Sequence, residues 1–308
     1  MRVIVLGLGV QGHKRRDVAG ADCIGVVDPY NELAGFRHVA DVPLGTYDAA
    51  LVCAPDSAKV EVLTYLLSNG KHVLVEKPLV GESTAALTSL ADIARQKGLC
   101  CYTAYNHRFE PHFMRMKETI DQGTLGQVYS VRLFYGNGTA RLVRDSAWRD
   151  TGAGVLPDLG SHLLDTLAFW FGRPSDAFHI ISANRFENLA PDHVVFGANG
   201  AIRMEAEMTL LSWRNHFTAD VLAEKGSAHI SSLCKWGPTS FTVRDRKLPS
   251  GRPEEQTVTL VEPDPTWRAE YDHFKTLCET GGTNIGGDIW ILETLAKLAA
   301  EIPAGPAE

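Results

Sequence analysis

Hydrophobic positions change their period partway along the chain. Up to about residue 105, short apolar runs alternate with helix-patterned segments. Val3–Leu6, Cys23–Val27, Ala49–Ala54, His72–Val75 and Leu99–Thr103 are nearly continuous in apolar, often β-branched residues, as strands buried on both faces are. Ser57–Asn69 instead spaces Val60, Val62, Leu63, Leu66 and Leu67 at helical intervals, with Asp56 or Ser57 as N-cap and Gly70 as the residue past its end. Thr84–Lys97 repeats the design, capped by Ser83 and stopped by Gly98. Strand and helix in alternation predict a parallel, doubly wound α/β sheet.

A helix opens at Pro111 and ends near Gly123, and the rhythm then becomes strand after strand. Val128–Tyr135, Ala177–Ala183, Val194–Phe196, Ile202–Thr209, Phe217–Ala223, Ala228–Ser231, Ser240–Arg244 and Gln256–Val261 alternate polar with apolar residues. Ala198-Asn199-Gly200 and Glu224-Lys225-Gly226 have hairpin-loop chemistry. These segments predict a large, mostly antiparallel sheet, interrupted by a helix over Pro157–Phe171. Trp267–Thr280 and Asp288–Glu301 read as closing helices on either side of a glycine-rich loop, with a frayed tail from Pro303. Two domains are expected, a dinucleotide-binding one over 1–122 and a substrate-binding and oligomerisation α/β domain over 123–308.

Composition narrows the class. The chain has 308 residues, 44% hydrophobic and 22% charged, within the globular range. Thirty Lys and Arg against thirty-seven Asp and Glu leave a net charge of −7, which gives no overall attraction to nucleic acid or anionic membrane. No apolar run reaches the ~20 residues of a membrane span, and no cleavable leader is evident, so a cytoplasmic protein is expected. The six cysteines lack metal-ligand spacing and read as buried thiols; no metal is expected.

Three groups of residues carry candidate chemistry. Gly7-Leu8-Gly9-Val10-Gln11-Gly12 follows the first strand and opens a helix, the context in which G-x-G-x-x-G cradles a pyrophosphate. Asp28 ends the second strand sixteen residues after Gly12, where a carboxylate accepts from a ribose diol and repels a 2′-phosphate. NAD is therefore favoured over NADP, although Lys14, Arg15 and Arg16 temper that preference. Glu76-Lys77-Pro78 closes the fourth strand, where open α/β sheets place ligands. Asp158, His162 and Asp165 fall at i, i+4 and i+7, one polar face of a helix turned either to solvent or to a cleft. His162 can exchange protons near neutral pH.

Taken together, these elements resemble the glucose–fructose oxidoreductase/inositol dehydrogenase/rhizopine-catabolism (Gfo/Idh/MocA) family of sugar and polyol dehydrogenases. Gly70–Pro78 is similar to that family's fourth-strand stretch, Asn106-His107-Arg108-Phe109 to its N/Q-x-R-F segment, and Leu125-Gly126-Gln127-Val128 to the entry of its second domain. The resemblance implies a Rossmann domain joined to an α/β domain with a large open sheet, through which a homodimer or homotetramer forms. It also implies NAD(P)-dependent hydride transfer at a secondary alcohol of a small carbohydrate, with Ala54, Pro55, Glu76 and Lys77 joining the glycines at the cofactor. His162 would be the general acid/base, Lys77 would stabilise the developing alkoxide, and Asp158 would orient His162 or bind a hydroxyl. Asn106, Arg108, Arg149 and Asp165 would meet substrate. Where the family often has a histidine after the third strand this chain has Lys59, from which a more open adenosine side is expected. Arg141, Arg144 and Arg149 in the 136–150 loop suit an anionic or nucleotide-linked sugar as well as they suit a solvated loop. On the same scaffold, NAD-dependent glycoside cleavage and a non-catalytic NAD-sensing regulator are the alternatives.

Overall fold

Residues 1–79, 83–146 and 149–303 are described by a computed structural model; the expected frayed tail lies, from residue 304 on, outside them. The predicted strand–helix alternation is present. In order come β1 (Val3–Leu6), α1 (Val10–Ala19), β2 (Cys23–Val27), β3 (Ala49–Val52), α2 (Asp56–Ser68), β4 (His72–Glu76), α3 (Thr84–Gln96) and β5 (Cys100–Ala104). Gly70 and Gly98 end their helices at φ +74° and +64°, and the Ser83 hydroxyl accepts from the Ala86 amide as an N-cap does.

There follow α4 (Pro111–Asp121), β6 (Val128–Gly136), α5 (Ala140–Arg144), α6 (Ser161–Phe171), β7 (His179–Asn184), β8 (His193–Asn199), β9 (Arg203–Thr209), β10 (His216–Ala223), β11 (Gly226–Ser231), β12 (Thr239–Asp245) and β13 (Glu254–Leu260). Last are α7 (Thr266–Thr280), the two-residue β14 (Gly282–Thr283) and α8 (Ile285–Glu301).

Two compact units result. One comprises Met1–Asn106 and Thr266–Leu292; the other takes His107–Pro265 and the chain from Glu293 onward. The single cut expected after residue 122 is thus replaced by a discontinuous division. The amphipathic pattern of α7 says that one face is buried, but not against which sheet.

In the first unit the sheet runs β14-β5-β4-β3-β1-β2, parallel throughout. Its central strands β1, β3, β4 and β5 are buried on both faces, which explains their unbroken apolar sequence, while the edge strand β2 is only partly buried. Ile4, Ala50, Val73 and Cys101 face α2 and α3 through Leu63, Leu66, Leu87 and Leu90. Val3, Val5, Leu51 and Leu74 face Ala19 of α1 and Tyr271 and Phe274 of α7. Neighbouring Cys100 and Cys101 accordingly belong to opposite clusters, and all six cysteines are free thiols.

The glycine-rich loop before α8, read as irregular from sequence, holds β14. Beyond it Asn284 pairs with Thr103 in both directions: the Thr103 amide donates to Asn284 Oδ1 at 2.7 Å and Asn284 Nδ2 donates to the Thr103 carbonyl at 2.8 Å. Asp288 accepts from the Thr103 hydroxyl at 2.8 Å and the Tyr105 hydroxyl at 3.0 Å. These bonds span about 180 residues of chain.

The second unit's sheet runs β13-β12-β11-β10-β6-β9-β8-β7, antiparallel except where β6 lies parallel to β9. Leu133, Phe196, Ala206, Phe217, Val221 and Ile230 alternate inward as the sequence pattern requires. The Trp170 indole of α6 donates to the Phe113 carbonyl of α4 at 3.0 Å. The other face of the sheet is laced with ion pairs, among them Arg132–Glu207, Arg203–Glu205, Asp220–His229 and Arg244–Glu255. Among the described residues no helix is long and apolar enough to cross a membrane.

Candidate active site

In the first unit the strand order reverses between β1 and β3, the point at which open α/β sheets bind ligands. The glycine turn sits there. A Cβ on Gly7, whose φ is +86°, would lie 2.6 Å from the Cys53 carbonyl oxygen, and one on Gly12 would lie 1.8 Å from that of Gly7. Both positions therefore demand glycine, which brings the turn against the end of β3 beside Ala54 and Pro55. Gly9, by contrast, has open space in front of it, and Val10 beside it is 76% exposed. The first-turn amides of α1, Val10 to Gly12, carry the partial positive charge of a helix start. A close-packed turn with one open glycine at a helix N-terminus fits a dinucleotide pyrophosphate.

Asp28 is wired into this turn. Its Oδ2 accepts from the Leu8 amide at 2.7 Å and its Oδ1 from the Tyr30 and Asn31 amides, both at 2.9 Å. Burial works against the charged form, but the three amides and neighbouring Arg37 hold the carboxyl below its ordinary value. Arg37, not the Lys14–Arg16 run, is the cation beside Asp28; its guanidinium donates to the Asn31 carbonyl at 3.1 Å. The expectation that Arg15 could receive a 2′-phosphate is corrected: Arg15 is 1% exposed. Its Nε donates to Glu76 at 2.6 Å and its Nη2 to Glu270 at 2.7 Å, with the guanidinium 4.3 Å above the Trp267 ring.

Lys77 follows the end of β4, half-buried. Lys59, which stands where a histidine was expected, is turned into the protein. It is 2% exposed, and its ammonium donates to the carbonyls of Glu76 and Pro78, each at 2.8 Å, and to Asp56 at 2.7 Å. Asn106, at the end of this stretch, donates from Nδ2 to the Thr266 hydroxyl at 2.9 Å.

In the second unit the Asp158–His162–Asp165 spacing is altered by a π-helical turn over Leu156–Gly160, ahead of α6. The wider turn changes the phase of Asp158 against the helix that follows, a deviation frequent at functional sites. Asp158 is exposed while His162 is 8% and Asp165 2% exposed, so the three do not form one solvated stripe. The His162 ring stacks on His107, centroids 4.1 Å apart and planes 18° apart. Tyr135 lies 5.9 Å from His162 and 5.5 Å from His107. The Lys235 ammonium is 3.4 Å from His107 Nε2 and lies over the Trp236 ring. Burial, with the charges of Asp158 and Glu110, drives the Tyr135 phenol up beyond the normal range.

Arg108 grips Asp165 with two prongs, Nη2–Oδ1 at 2.5 Å and Nε–Oδ2 at 2.9 Å. Burial raises the Asp165 carboxyl and Arg108 offsets part of that rise. Arg141, Arg144 and Arg149 are exposed, whereas Asp150 is buried and accepts from the Leu189 and Ala190 amides. Among the described residues no three His, Cys, Asp or Glu come together as metal ligands.

Sequence reasoning missed His107, Tyr135, Lys235 and the buried roles of Arg15 and Lys59. His107 stood in view as the variable position of its segment. Lys235 and Tyr135 sit in ordinary strand or loop sequence and carry no local signal.

Two family profiles match the chain: an oxidoreductase family with an NAD-binding Rossmann fold over residues 2–105, and the GFO/IDH/MocA C-terminal domain over residues 113–229. The chain is similar to bovine trans-1,2-dihydrobenzene-1,2-diol dehydrogenase, 29% identical over 58% of this chain and 52% of that protein. It is also similar to the Bacillus subtilis NADP⁺-dependent scyllo-inositol 2-dehydrogenase, 28% identical over 45% of this chain and 38% of that one. These stretches span less than two thirds of the curated relatives' own length. A levoglucosan dehydrogenase in complex with NADH shares the fold at a TM-score of 0.81 and 18% identity, covering 98% of this chain and 97% of that one.

Proposed function

Because the chain belongs to the Gfo/Idh/MocA oxidoreductase family, we propose that it is a dehydrogenase acting on a secondary alcohol of a sugar, cyclitol or related cyclic diol, with NAD preferred to NADP. The observation that carries this reading is the rim of the parallel sheet. At the C-terminal ends of β1, β2 and β4 it carries an open Gly9 face at a helix start, the Asp28 carboxylate, and Lys77. NAD, when bound, supplies the hydride acceptor.

The chain's own residues divide the remaining work. Gly7, Gly9, Val10, Gln11 and Gly12 hold the pyrophosphate, and Ala54, Pro55 and Glu76 line the same rim. Lys77 stabilises the substrate oxygen as it becomes anionic, and His162 takes its proton. Asp158 orients His162 or binds a hydroxyl. Arg108 and Asp165 act as a pair, and Asn106 and Arg149 add substrate contacts. Names of relatives support the breadth of the substrate class, from dihydrodiols to inositols.

The deciding experiment is NADH formation, followed by absorbance, across a panel of dihydrodiols, inositols, levoglucosan, hexoses, sugar acids and nucleotide sugars. Turnover of a cyclic secondary alcohol with NAD is expected. Glycoside cleavage without net NADH would favour the NAD-dependent glycosidase instead, and NAD binding without any turnover would favour a regulator. Equal rates on a neutral sugar and its acid would remove any role for the three loop arginines in choosing an anionic substrate.

A further inference from the structure

Lys59 is a lysine where burial is nearly complete, and every donor of its ammonium has a protein partner. A buried ammonium is costly unless its hydrogen bonds are met, and an apolar side chain of similar length would fill this place without that penalty. What the charge adds is direction. Its two carbonyl acceptors, Glu76 and Pro78, are the residues immediately before and after Lys77, each held at 2.8 Å. Holding both carbonyls fixes the Glu76–Lys77 peptide directly ahead of Lys77 and the Pro78–Leu79 peptide beyond it, so the backbone segment that carries Lys77 is clamped at both ends, and with it the direction in which the Lys77 side chain leaves the backbone. Asp56, one turn back on α2, holds Lys59 in turn at 2.7 Å. From the other side Arg15 fixes the Glu76 carboxylate at 2.6 Å. The loop bearing one lysine is thus pinned by two buried cations from two helices, and only one of them grips the backbone.

We propose that Lys59 is a positioning residue for Lys77, setting the strand-end loop so that the Lys77 ammonium is held in its working direction. The inference rests on the reading of Lys77 as the group that stabilises the reacting oxygen. Lys59 itself touches neither substrate nor cofactor.

Lys59→Met keeps the stem and removes the donors; Lys59→Gln keeps an amide that can still reach a carbonyl and serves as the second variant should the first fail to fold. The probe is the fastest alcohol of the panel above, and Lys77→Ala is measured beside them. Displacing a catalytic group by about 1 Å can cost on the order of 10²-fold. Lys59→Met is therefore expected to lower kcat by roughly 10- to 100-fold, with the NAD dissociation constant and KM within about twofold of wild type; Lys59→Gln should recover part of the loss. A crystal structure of Lys59→Met should show residues 76–78 turned from their wild-type orientation. Wild-type kcat in Lys59→Met and Lys59→Gln, or parallel losses of kcat, NAD affinity and melting temperature, would overturn the proposal. A fully active Lys77→Ala would instead strike the role of Lys77 itself, and this inference with it. A crippled Lys77→Ala beside a fully active Lys59→Met would remove only the latter.

Discussion

Asp28 serves two masters, since the carboxylate that would meet the ribose also ties the Leu8 amide of the glycine turn to the end of β2. Asp28→Ala should therefore weaken NAD binding and narrow its margin over NADP, with Arg37 left to receive a 2′-phosphate. Fluorescence titration with both cofactors checks this, and tighter NADP binding by the wild type would refute it. The same residue predicts a pH effect. Its folded pKa lies below the ordinary ~3.9, so its stabilising contribution is complete above that value and is lost as pH falls through the lowered one. Urea midpoints compared between neutral and acid pH should fall less in Asp28→Asn than in wild type. For His162→Ala we expect a loss of about 10²–10⁴-fold in kcat with NAD binding kept, the usual worth of a positioned acid/base. Lys77→Ala should cost at least as much. At this scale the sequence offered the candidates whose spacing is local: the glycines, Asp28, Lys77 and His162. It could not show His107 against His162 or Lys59 beneath Lys77, because those contacts are made by side chains from separate elements.

Among the elements, α1 and α7 are joined through one guanidinium. Arg15 bridges Glu76 and the fully buried Glu270 under Trp267. Burial by itself would lower the Arg15 pKa, and the two carboxylates more than offset that, leaving it above its ordinary value. Removing one partner of a buried pair leaves an uncompensated charge, so Arg15→Met should destabilise the protein by about 3–5 kcal/mol. Arg15→Met combined with Glu270→Leu should recover much of that loss, as read from urea denaturation of both variants. Strands and helices themselves were legible to within a few residues, since period and capping residues are local properties. The π turn at Leu156–Gly160 was not, because a 3.6-residue template has no place for an extra residue. Nor was α5, a single turn too short to show a period.

For the whole molecule, the sequence conveyed two sheets and their kinds but a boundary in one place only. The discontinuous first unit has a direct consequence for fragments. A piece ending at residue 122 lacks Tyr271, Phe274 and Ile285 from its two cores, and Asn284 and Asp288 from its β5 edge. It should fail to give a cooperative thermal transition by circular dichroism, whereas the full chain should give one. Association through the second sheet, expected of its open face, is checked by light scattering across a salt series; the ion-paired outer face makes weaker association at high salt the expected result.

The amide pairing of Thr103 with Asn284 also sets a clock. The two residues lie 181 positions apart, and a ribosome adding about 5–20 residues per second needs on the order of 10–40 s to deliver the second after the first. Throughout that interval the nascent β5 edge is unpaired and the apolar face awaiting α7 is bare. The first third of the chain must therefore wait for residues 266–292 near its other end, and in a living cell that wait is when a chaperone has its opportunity.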